Sequence, residues 1–448
     1  MILDLLHRRS RSPHFPTGGK EASFSEDPAV ALTVEILEKL TEGGAPKALN
    51  VRLWNGHYWP DEAPKPATLV LNRASSLREM LSGGSELEVA EAYLNEAFDV
   101  EGDMVDAFEL ADILAAQTGE WTRAFSILGM LHQLPKYKEK KDVANRAASL
   151  NGAKNSPARD RKAIRFHYDV SNAFYGLWLD PRMVYSCAYF ERDDASLEEA
   201  QLAKLDLICR KLDLQPGERL LEIGSGWGGL LIHAVRQYGV QADGITLSEN
   251  QLAWTRRLIE ENGLQDRVKV GLADYRELPR DGTYDKVVSV GMVEHVGRKN
   301  LGVYFQQATG LLKPGGLFLN HGIGRGPVPW VNEDGGFINR YVFPDTDMPP
   351  IATMLQAAAE AGLEIRDVDS LREHYAITLR HWVGRLEARR DEARREVDET
   401  TYRIWRLYMA GCAHSFDLGY LSVYQTLLAK ITPEGKSRAA SVRRKWYC

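Results

Sequence analysis

The sequence has few cysteines, no long apolar run and no excess of positive charge, and each absence excludes a class of protein. Four cysteines occur in 448 residues, without a CxxC pair or a Cys/His metal spacing, so neither a disulfide scaffold nor a zinc module is expected. No apolar run reaches the roughly 20 residues of a transmembrane helix. The formal net charge of −6 argues against general nucleic-acid binding.

What the chain does contain is typical of a globular protein. A hydrophobic share of 44% and a charged share of 26% are ordinary, and the length allows two or three domains. The apolar stretch at the start is shorter than a secretory h-region, and its basic cluster follows it instead of preceding it. We therefore expect a cytoplasmic protein with free thiols.

The most informative stretch is LLEIGSGWGG, residues 220–229. An apolar run of strand length ends at the carboxylate Glu222, and a loop with Gly224, Gly226 and Gly228 follows before a helix-like run begins. Glycine permits positive φ and close approach of the backbone to a ligand. The next helix points its N-terminal amides at whatever lies above the sheet. This pattern predicts a nucleotide-type cofactor site in a doubly wound α/β domain.

The position of the carboxylate favours one cofactor over another. NAD-binding loops read GxGxxG, with a carboxylate about 20 residues later. Here the loop reads GSGWGG, including Trp227, and the carboxylate lies two residues before the first glycine. That spacing is more like S-adenosylmethionine (SAM) methyltransferases, with Glu222 near the methionine end of the cofactor. A purely structural turn in an unrelated α/β protein stays the alternative.

Three regions follow one another along the chain. Residues 1–134 predict a small α+β domain without chemical motifs, suited to packing or lipid contact, with strands near 48–53 and 68–72 and helices near 87–97, 105–118 and 121–131. Residues 135–163 form a basic polar linker, and each cation would contribute about 1 kcal/mol near an anionic lipid surface. Residues 164–448 predict a Rossmann-like α/β domain with a parallel sheet, because strand-like and helix-like segments alternate.

The predicted elements of this third region can be placed on the sequence. Strands are predicted at 219–223, 241–246, 268–271, 286–290 and 317–320. Helices are predicted at 230–238, 249–262 and 300–312, and a long helical region is predicted over 382–430.

Chemistry is expected where these strands end, because ligands bind beyond the carboxyl ends of parallel strands. The second strand ends at Thr246, with Gln251 nearby, where a ribose could bind; hydroxyls that cap the next helix are the alternative. The third is followed by Asp274 and Tyr275, which suit the amine and the face of an adenine. A turn aspartate and a core tyrosine are equally compatible with that pair.

The fourth and fifth strands end near Glu294 and His321. In a methyltransferase-like sheet the first, fourth and fifth strands are adjacent, so these two side chains would meet beside the reactive end of the cofactor. Zinc is the rival ligand for such a pair. No HExxH motif and no third ligand at a suitable spacing occur, so no metal site is expected.

Several segments of the chain resemble those of a known family. The segments FHYDVSN, YSCAYF, LEIGSGWGG, GITLSENQ, SVGMVEHVG, HGIG and HYAITLRHW are similar to cyclopropane-fatty-acyl-phospholipid synthases and mycolic acid cyclopropane synthases. The resemblance covers residue 165 to the C-terminus, and extends more weakly to EAYLNEAFDVEGDM in the N-terminal region.

The resemblance implies an enzyme with SAM as cofactor and a bound bicarbonate as base. The implied bicarbonate site consists of Cys187, Glu294, His321, Ile323 and Tyr375, with Cys187 and Ile323 acting through backbone groups. Tyr168 would line the reaction centre. The implied SAM contacts are Tyr185, Ser186, Gly224, Gly226, Thr246, Gln251 and Tyr275.

The activity implied is transfer of a methyl group to the cis double bond of an unsaturated acyl chain in membrane phospholipid, closing a cyclopropane ring. A methyl- or methylene-branched product is the alternative, and a lipid-binding module without catalysis is a third. The chain has Val293 where many relatives carry an aromatic residue, which would shape the acyl channel. The expected partner is phospholipid, met peripherally at the inner membrane surface, and a homodimer is an open option.

Overall fold

A computed structural model describes residues 27–41, 44, 46–108, 112, 121–137, 143–148, 150, 152–168, 170–328 and 336–436. Cys448 and most of the helix predicted over 105–118 lie outside these residues. The described residues form two compact units. The first contains those between 27 and 147, those between 336 and 341, and Asp398–Gly411; the second contains the remainder.

The first unit contains a four-stranded sheet. Its strands are β1 (Leu49–Arg52), β2 (Tyr58–Trp59), β3 (Ala67–Leu71) and β4 (Phe98–Gly102), in the order β2-β1-β3-β4. Described helices of this unit are Pro28–Thr41, Ser76–Leu81, Glu86–Leu94, Trp121–Gln133 and Phe337–Tyr341, with short 3₁₀ helices at Asp106–Phe108 and Val143–Arg146. The strands expected near 48–53 and 68–72 and the helices expected near 87–97 and 121–131 are confirmed.

The second unit contains a seven-stranded sheet. Its strands are β5 (Arg219–Ile223), β6 (Gln241–Thr246), β7 (Val268–Leu272), β8 (Tyr284–Val290), β9 (Leu312–Arg325), β10 (Leu363–Ser370) and β11 (Leu421–Lys430). The order is β10-β11-β9-β8-β5-β6-β7. The pairs from β9 to β7 are parallel, whereas β11 is antiparallel to both of its neighbours. The predicted Rossmann-like fold, with the first, fourth and fifth strands adjacent, is confirmed.

Helices cover both faces of this sheet. They are Pro157–Tyr168, Asn172–Gly176, Leu197–Lys211, Gly229–Tyr238, Glu249–Glu261, Leu301–Leu311, Ile351–Glu360, Arg372–Ala388 and Arg390–Glu396, with 3₁₀ helices at Tyr275–Glu277, Val293–His295 and Arg298–Asn300. Helix Glu399–Asp417 begins in the first unit, and its residues from Cys412 onward belong to the second. Alternate residues of β5 face opposite sides, so Leu220 belongs to one apolar cluster and Leu221 to the other. Two cores therefore hold the strand ends in place.

Two predicted elements differ from the structure. The helical region predicted over 382–430 is wrong at its end, since Leu421–Lys430 is strand β11, and β10 beside it was not predicted. The β11 segment is an apolar run buried almost throughout, and periodicity alone cannot distinguish such a run from a buried helix. The polar segment predicted as a linker up to residue 163 includes the start of helix Pro157–Tyr168, whose proline occupies the favourable first helical position.

Candidate functional site

One cavity of the second unit lies at the carboxyl ends of β5, β6 and β8. The residues predicted from the sequence that line it are Tyr168, Tyr185, Ser186, Glu222, Gly224, Gly226, Trp227, Thr246, Gln251, Asp274 and Tyr275. The structure thus brings together residues that are spread over more than a hundred positions. Their individual roles as cofactor contacts stay a prediction.

The glycine loop has the backbone that its sequence implies. Gly224, Gly226 and Gly228 have φ values of 80°, 52° and 83°, which side chains rarely adopt. Gly228 differs from the other two because it packs away from the cavity lining. A Cβ there would lie 2.6 Å from Cγ2 of Thr255. Gly228 therefore lets the loop pack closely against helix Glu249–Glu261, and its role as a cofactor contact stays a prediction.

At the end of β6 the capping alternative holds for Ser248, and binding of a ribose near Thr246 and Gln251 stays a prediction. Ser248 caps the next helix by accepting a hydrogen bond from the backbone N–H of Gln251. Thr246 instead donates its hydroxyl to Oε1 of Gln251 at 2.8 Å, and both side chains line the cavity. Capping thus explains Ser248, while Thr246 and Gln251 form a fixed polar pair toward the cavity.

At the end of β7, Asp274 already has a partner. Its carboxylate accepts hydrogen bonds from Nε and Nη2 of Arg276 at 2.9 and 2.6 Å. Burial raises the pKa of Asp274, but the bonds from Arg276 outweigh burial and hold this pKa below its ordinary value. Arg276 also bonds Asp160 of helix Pro157–Tyr168 at 3.0 Å, which fixes that helix over the cavity. Tyr275 packs edge-to-face on Tyr304 with ring centroids 5.5 Å apart.

Asp160 and Arg276 line the cavity, and the sequence analysis did not identify either residue. They are 116 positions apart, so no local pattern links them. The charged, breaker-rich surroundings of Asp160 instead indicated a linker.

Lys204 is another lining residue that the sequence analysis did not identify. It lies on helix Leu197–Lys211, is 1% exposed, and donates from Nζ to Oγ of Ser186 at 2.8 Å. Burial lowers its pKa to about 8. Burial also raises the pKa of Glu222, at the end of β5, to about 8. A signal existed in the sequence, because Lys204 occupies the same helical face as Leu197, Ala200 and Ile208.

Glu294 and His321 lie on neighbouring chain segments, as expected from the strand order. Val290 of β8 pairs with His321 of β9, and the N–H of Gly291 donates to the carbonyl of His321 at 2.8 Å. Oε1 of Glu294 accepts from the N–H of Ile323 at 2.6 Å. Burial raises the pKa of Glu294 to about 7. Within the described residues, Oε2 of Glu294 and Nε2 of His321 are buried without a hydrogen-bond partner.

Tyr375 and Cys187 lie in the same region. Burial raises the pKa of Tyr375, and so do nearby Tyr185, Cys187 and Glu294. Burial likewise raises the pKa of the Cys187 thiol, whose Sγ donates to the carbonyl of Ala188 at 3.2 Å. A protonated, buried thiol is a poor nucleophile, so the geometry does not favour covalent catalysis by Cys187. The N–H of Ile323 is the backbone group of that residue directed at Glu294.

Aromatic rings surround this region. Tyr168 lies 6.2 Å from Tyr185 and 6.1 Å from Trp227, and Tyr175 lies 4.8 Å from Trp227, measured between ring centroids. Burial and Glu294 both raise the pKa of Tyr168, so its phenol stays neutral. Such a set of π faces can stabilise a cation in a dry site. Tyr175 completes the set and was not identified from the sequence.

Val293 is a core residue. It is fully buried in the apolar cluster with Leu221 and Val287. A Cβ on Gly322 would lie 2.2 Å from Cγ1 of Val293, so the two residues are complementary in size. That Val293 also shapes an acyl channel stays a prediction. Among the described residues, no group of three His, Cys, Asp or Glu side chains could hold a metal ion.

Comparison with known proteins agrees with this geometry. Residues 155–426 match the family described as mycolic acid cyclopropane synthetase. Over 402 residues the chain is 40% identical to a probable fatty acid methyltransferase of Pseudomonas putida, covering 89% of this chain and 96% of that one. It is 37% identical to cyclopropane mycolic acid synthase 1 of Mycobacterium tuberculosis over 273 residues, covering 58% and 94% respectively.

Solved structures extend this likeness to three dimensions. The cyclopropane synthase MmaA2 from Mycobacterium tuberculosis matches with a TM-score of 0.57 and 36% identity, covering 60% of this chain and 98% of that one. Mycolic acid cyclopropane synthase CmaA1, solved in complex with SAH and CTAB, matches with the same values. The chain therefore belongs to the mycolic acid cyclopropane synthetase family and is an enzyme of the SAM-dependent methyltransferase class.

Proposed function

We propose that this enzyme transfers a methyl group from SAM to the cis double bond of an unsaturated acyl chain in membrane phospholipid and closes a cyclopropane ring. The observation that supports this most directly is the pair of buried polar atoms, Oε2 of Glu294 and Nε2 of His321, that lack partners among the described residues. Glu294 is an electrostatic neighbour of the phenols of Tyr168 and Tyr375, whose pKa values are raised by burial.

The cavity residues suit SAM in their chemistry. The glycine loop at the end of β5 offers backbone amides at a helix N-terminus, and Thr246 with Gln251 offers polar atoms at the end of β6. Tyr275 offers a ring near the end of β7. Bound SAM would supply an electrophilic methyl group.

The residues around Glu294 also fit bicarbonate. With a pKa of about 7, the Glu294 carboxyl keeps a proton over part of the neutral range and can donate a hydrogen bond. Burial lowers the pKa of His321 well below its ordinary value, so this imidazole is neutral and has one donor and one acceptor nitrogen. The Tyr375 hydroxyl stays protonated because burial raises its pKa. A bound bicarbonate would supply the base that removes a proton from the new methyl group.

The protein must also stabilise the carbocation that methyl transfer leaves on the acyl chain and keep water away from it. An alkene is a weak nucleophile, so close alignment with the methyl donor is required. The rings of Tyr168, Tyr185 and Trp227 can stabilise the carbocation by about 2 kcal/mol or more in a desolvated site. Trp227 is buried and the two tyrosines are half-buried, which limits the access of water that would otherwise convert the cation to an alcohol.

A methyl- or methylene-branched acyl chain is the second candidate product, and one of the comparisons supports it. The relative that matches most of this chain, from Pseudomonas putida, is named a probable fatty acid methyltransferase. From the same cation, loss of a proton from a chain carbon would give a methyl-branched alkene. A 1,2-hydride shift followed by loss of a proton from the new methyl would give a methylene branch, and a saturated methyl branch would further require an external hydride donor.

Phospholipid as substrate and peripheral contact with the inner membrane surface belong to the same proposal. Within the described parts of the chain, each helix is too short or too polar to cross a bilayer. We propose that residues 164–448 carry the catalytic domain, that 1–134 serve packing or lipid contact, and that the basic segment within 135–163 meets anionic headgroups.

Expression in a bacterial host without cyclopropane lipids, fed methionine with a deuterated methyl group, tests the proposal. Ring closure retains two deuterium atoms and gives upfield ring protons by NMR when the label is omitted. A saturated methyl branch retains three deuterium atoms and a methylene branch two, without ring signals. The Glu294→Gln variant, checked for SAH binding, is the control. An unchanged acyl profile with folded, SAH-binding protein would contradict the proposed activity.

A further inference from the structure

The two ring nitrogens of His321 have different surroundings. The side chain is 2% exposed, and its Nε2 is buried without a hydrogen-bond partner among the described residues. Its Nδ1 instead contacts the side-chain amide of Gln425 on the neighbouring strand β11. A neutral imidazole carries one proton, and the hydrogen bond made by one nitrogen determines which of the two holds it. The contact with Gln425 therefore decides what Nε2 of His321 can offer to a ligand.

The register of the sheet places Gln425 for this contact. Gln425 lies directly opposite His321 in the antiparallel pair of β11 and β9, so both side chains project from the same face. On that face of β11 the next residues in either direction, Val423 and Leu427, are buried and apolar. Gln425 itself is 1% exposed, and burying an amide among apolar neighbours costs free energy unless it is hydrogen-bonded. The contact with His321 offsets part of that cost.

The atom of Gln425 that faces His321 is a donor. The amide nitrogen lies 3.2 Å from Nδ1 of the ring, and an amide nitrogen has two hydrogens but accepts none. Nδ1 must therefore accept, which leaves the imidazole proton on Nε2. If the amide oxygen faced the ring instead, the proton would be on Nδ1 and Nε2 would present a lone pair.

A proton on Nε2 of His321 suits an anionic ligand better than a lone pair does. The charged groups that influence the pKa of His321 are Lys204 and Lys211, and both lower it, as burial does. Lys211 is itself paired at 2.9 Å with Asp369, which lies opposite Gln425 on β10. The imidazole is thus kept neutral, and its one N–H can bind a negatively charged oxygen only if it is the unpartnered Nε2 that carries it.

We propose that Gln425 is a positioning residue that keeps the proton of His321 on Nε2, so that His321 donates a hydrogen bond to the bound bicarbonate. This inference rests on the proposed bicarbonate-dependent reaction. Gln425 acts through His321 and has no contact with the ligand to make. Its donated hydrogen bond also fixes the orientation of the ring.

Nitrogen NMR of the full-length enzyme with ¹⁵N-labelled histidine, bound to S-adenosylhomocysteine and bicarbonate, measures the tautomer directly. Protonated and unprotonated ring nitrogens have separate shifts, and the signals lost in His321→Asn identify this residue among the eleven histidines. The wild-type enzyme should show an unprotonated Nδ1 and a protonated Nε2. The opposite tautomer would overturn the inference, whatever the variants do.

The pH profile of Gln425→Glu tests the effect on turnover. At low pH the introduced carboxyl group can donate to Nδ1 as the amide does, so turnover should stay close to that of the wild type. Once ionised it can only accept, which moves the imidazole proton to Nδ1. The ratio of variant to wild-type turnover should then fall by about 10²–10³-fold as pH rises, the loss expected for one donor to a reacting anion. Gln425→Met should lower turnover by about tenfold without this pH step.

The neighbouring Thr426 provides a matched control. It is 3% exposed on the opposite face of β11 and donates to the carbonyl of Asn320 at 3.1 Å, so Thr426→Val should keep the tautomer and the turnover of the wild type. Identical pH profiles in Gln425→Glu and Gln425→Met would overturn the inference. A wild-type enzyme without turnover, but with the proton on Nε2, would overturn the proposed function and leave the effect of Gln425 on the tautomer standing.

Discussion

Two sets of buried polar and charged side chains, one in each unit, are handled in opposite ways. In the first unit, Arg406 is 7% exposed and donates to Asp99, Tyr93 and the carbonyl of Val100 at 3.2, 3.1 and 2.9 Å. Arg403, 4% exposed, bonds Asp99 from the same helix. In the second unit, the side chains of Glu222, Glu294 and His321 contain buried atoms that no described residue satisfies.

The difference shows which buried charges serve the fold and which serve a ligand. A buried polar group without a partner costs about 1–3 kcal/mol, and more if it is charged. Complete pairing, as at Asp99, stabilises the fold. Incomplete pairing has a cost in stability that ligand binding can offset, and Glu222, one of the incompletely paired side chains, lines the cavity.

Disrupting the paired cluster of Asp99, Arg403 and Arg406 should produce the largest effect, a loss in the free energy of unfolding. Asp99→Asn leaves Arg406 buried without a carboxylate, and truncating one partner of a buried ion pair costs about 3–5 kcal/mol. Urea unfolding followed by tryptophan fluorescence measures this loss. Glu101→Gln, two residues along β4, is the matched control, because Glu101 is exposed and pairs with Arg52 at the surface. Its expected cost is at most about 1 kcal/mol, and equal costs for the two variants would remove the contrast.

Changing Glu294, whose Oε2 is buried without a hydrogen-bond partner among the described residues, should instead lower turnover. Glu294→Gln keeps the shape of the site but removes a group that can be either protonated or ionised. We expect turnover to fall by about 10²–10³-fold while calorimetric affinity for S-adenosylhomocysteine stays unchanged. Exposed Glu364 provides the control variant Glu364→Gln, with wild-type turnover. Wild-type turnover in Glu294→Gln would remove Glu294 from the proposed mechanism.

The same variant should gain stability in a pH-dependent way. The folded pKa of Glu294, about 7, lies above the ordinary value of 4.5, so the native state binds this proton more tightly. Stability of the wild-type protein therefore decreases as pH rises from about 4.5 to about 7. Relative to wild type, Glu294→Gln should be similar near pH 5 and more stable by about 2–3 kcal/mol at pH 8. Urea midpoints at both pH values check this, and a constant difference would contradict it.

Proton release on ligand binding should give the smallest effect. Lys204 and Cys209 are the titratable groups that interact with Glu222. With a pKa of about 8, Glu222 is mostly protonated at pH 7, and an ammonium beside it would favour the ionised form. S-adenosylhomocysteine should therefore release on the order of one proton at pH 7, seen as a dependence of binding enthalpy on the buffer. An equal release in Glu222→Gln would contradict this assignment.

Much of the fold could be predicted because its signals are local. The strands at 219–223 and 241–246 form as predicted, and helix 249–262 differs by one residue. Thr246 and Asp274 could be placed near a cavity because the carboxyl ends of parallel strands meet at one edge of a sheet. Strand β11 could not be predicted, since its apolar run is compatible with either a buried helix or a buried strand.

The sequence by itself determined the order of the elements from β5 to β9, the glycine loop with positive φ at Gly224, and the residue types at the strand ends, because each depends on near neighbours in the chain. Only the tertiary structure decided that Lys204 and Glu222 are electrostatic neighbours, that Arg276 bonds Asp160, and that Val293 packs on Gly322. These contacts join segments far apart in sequence, and their effect depends on burial. Whether a buried polar group is satisfied is decided by its surroundings in the folded chain, as the contrast between Asp99 and Glu222 shows.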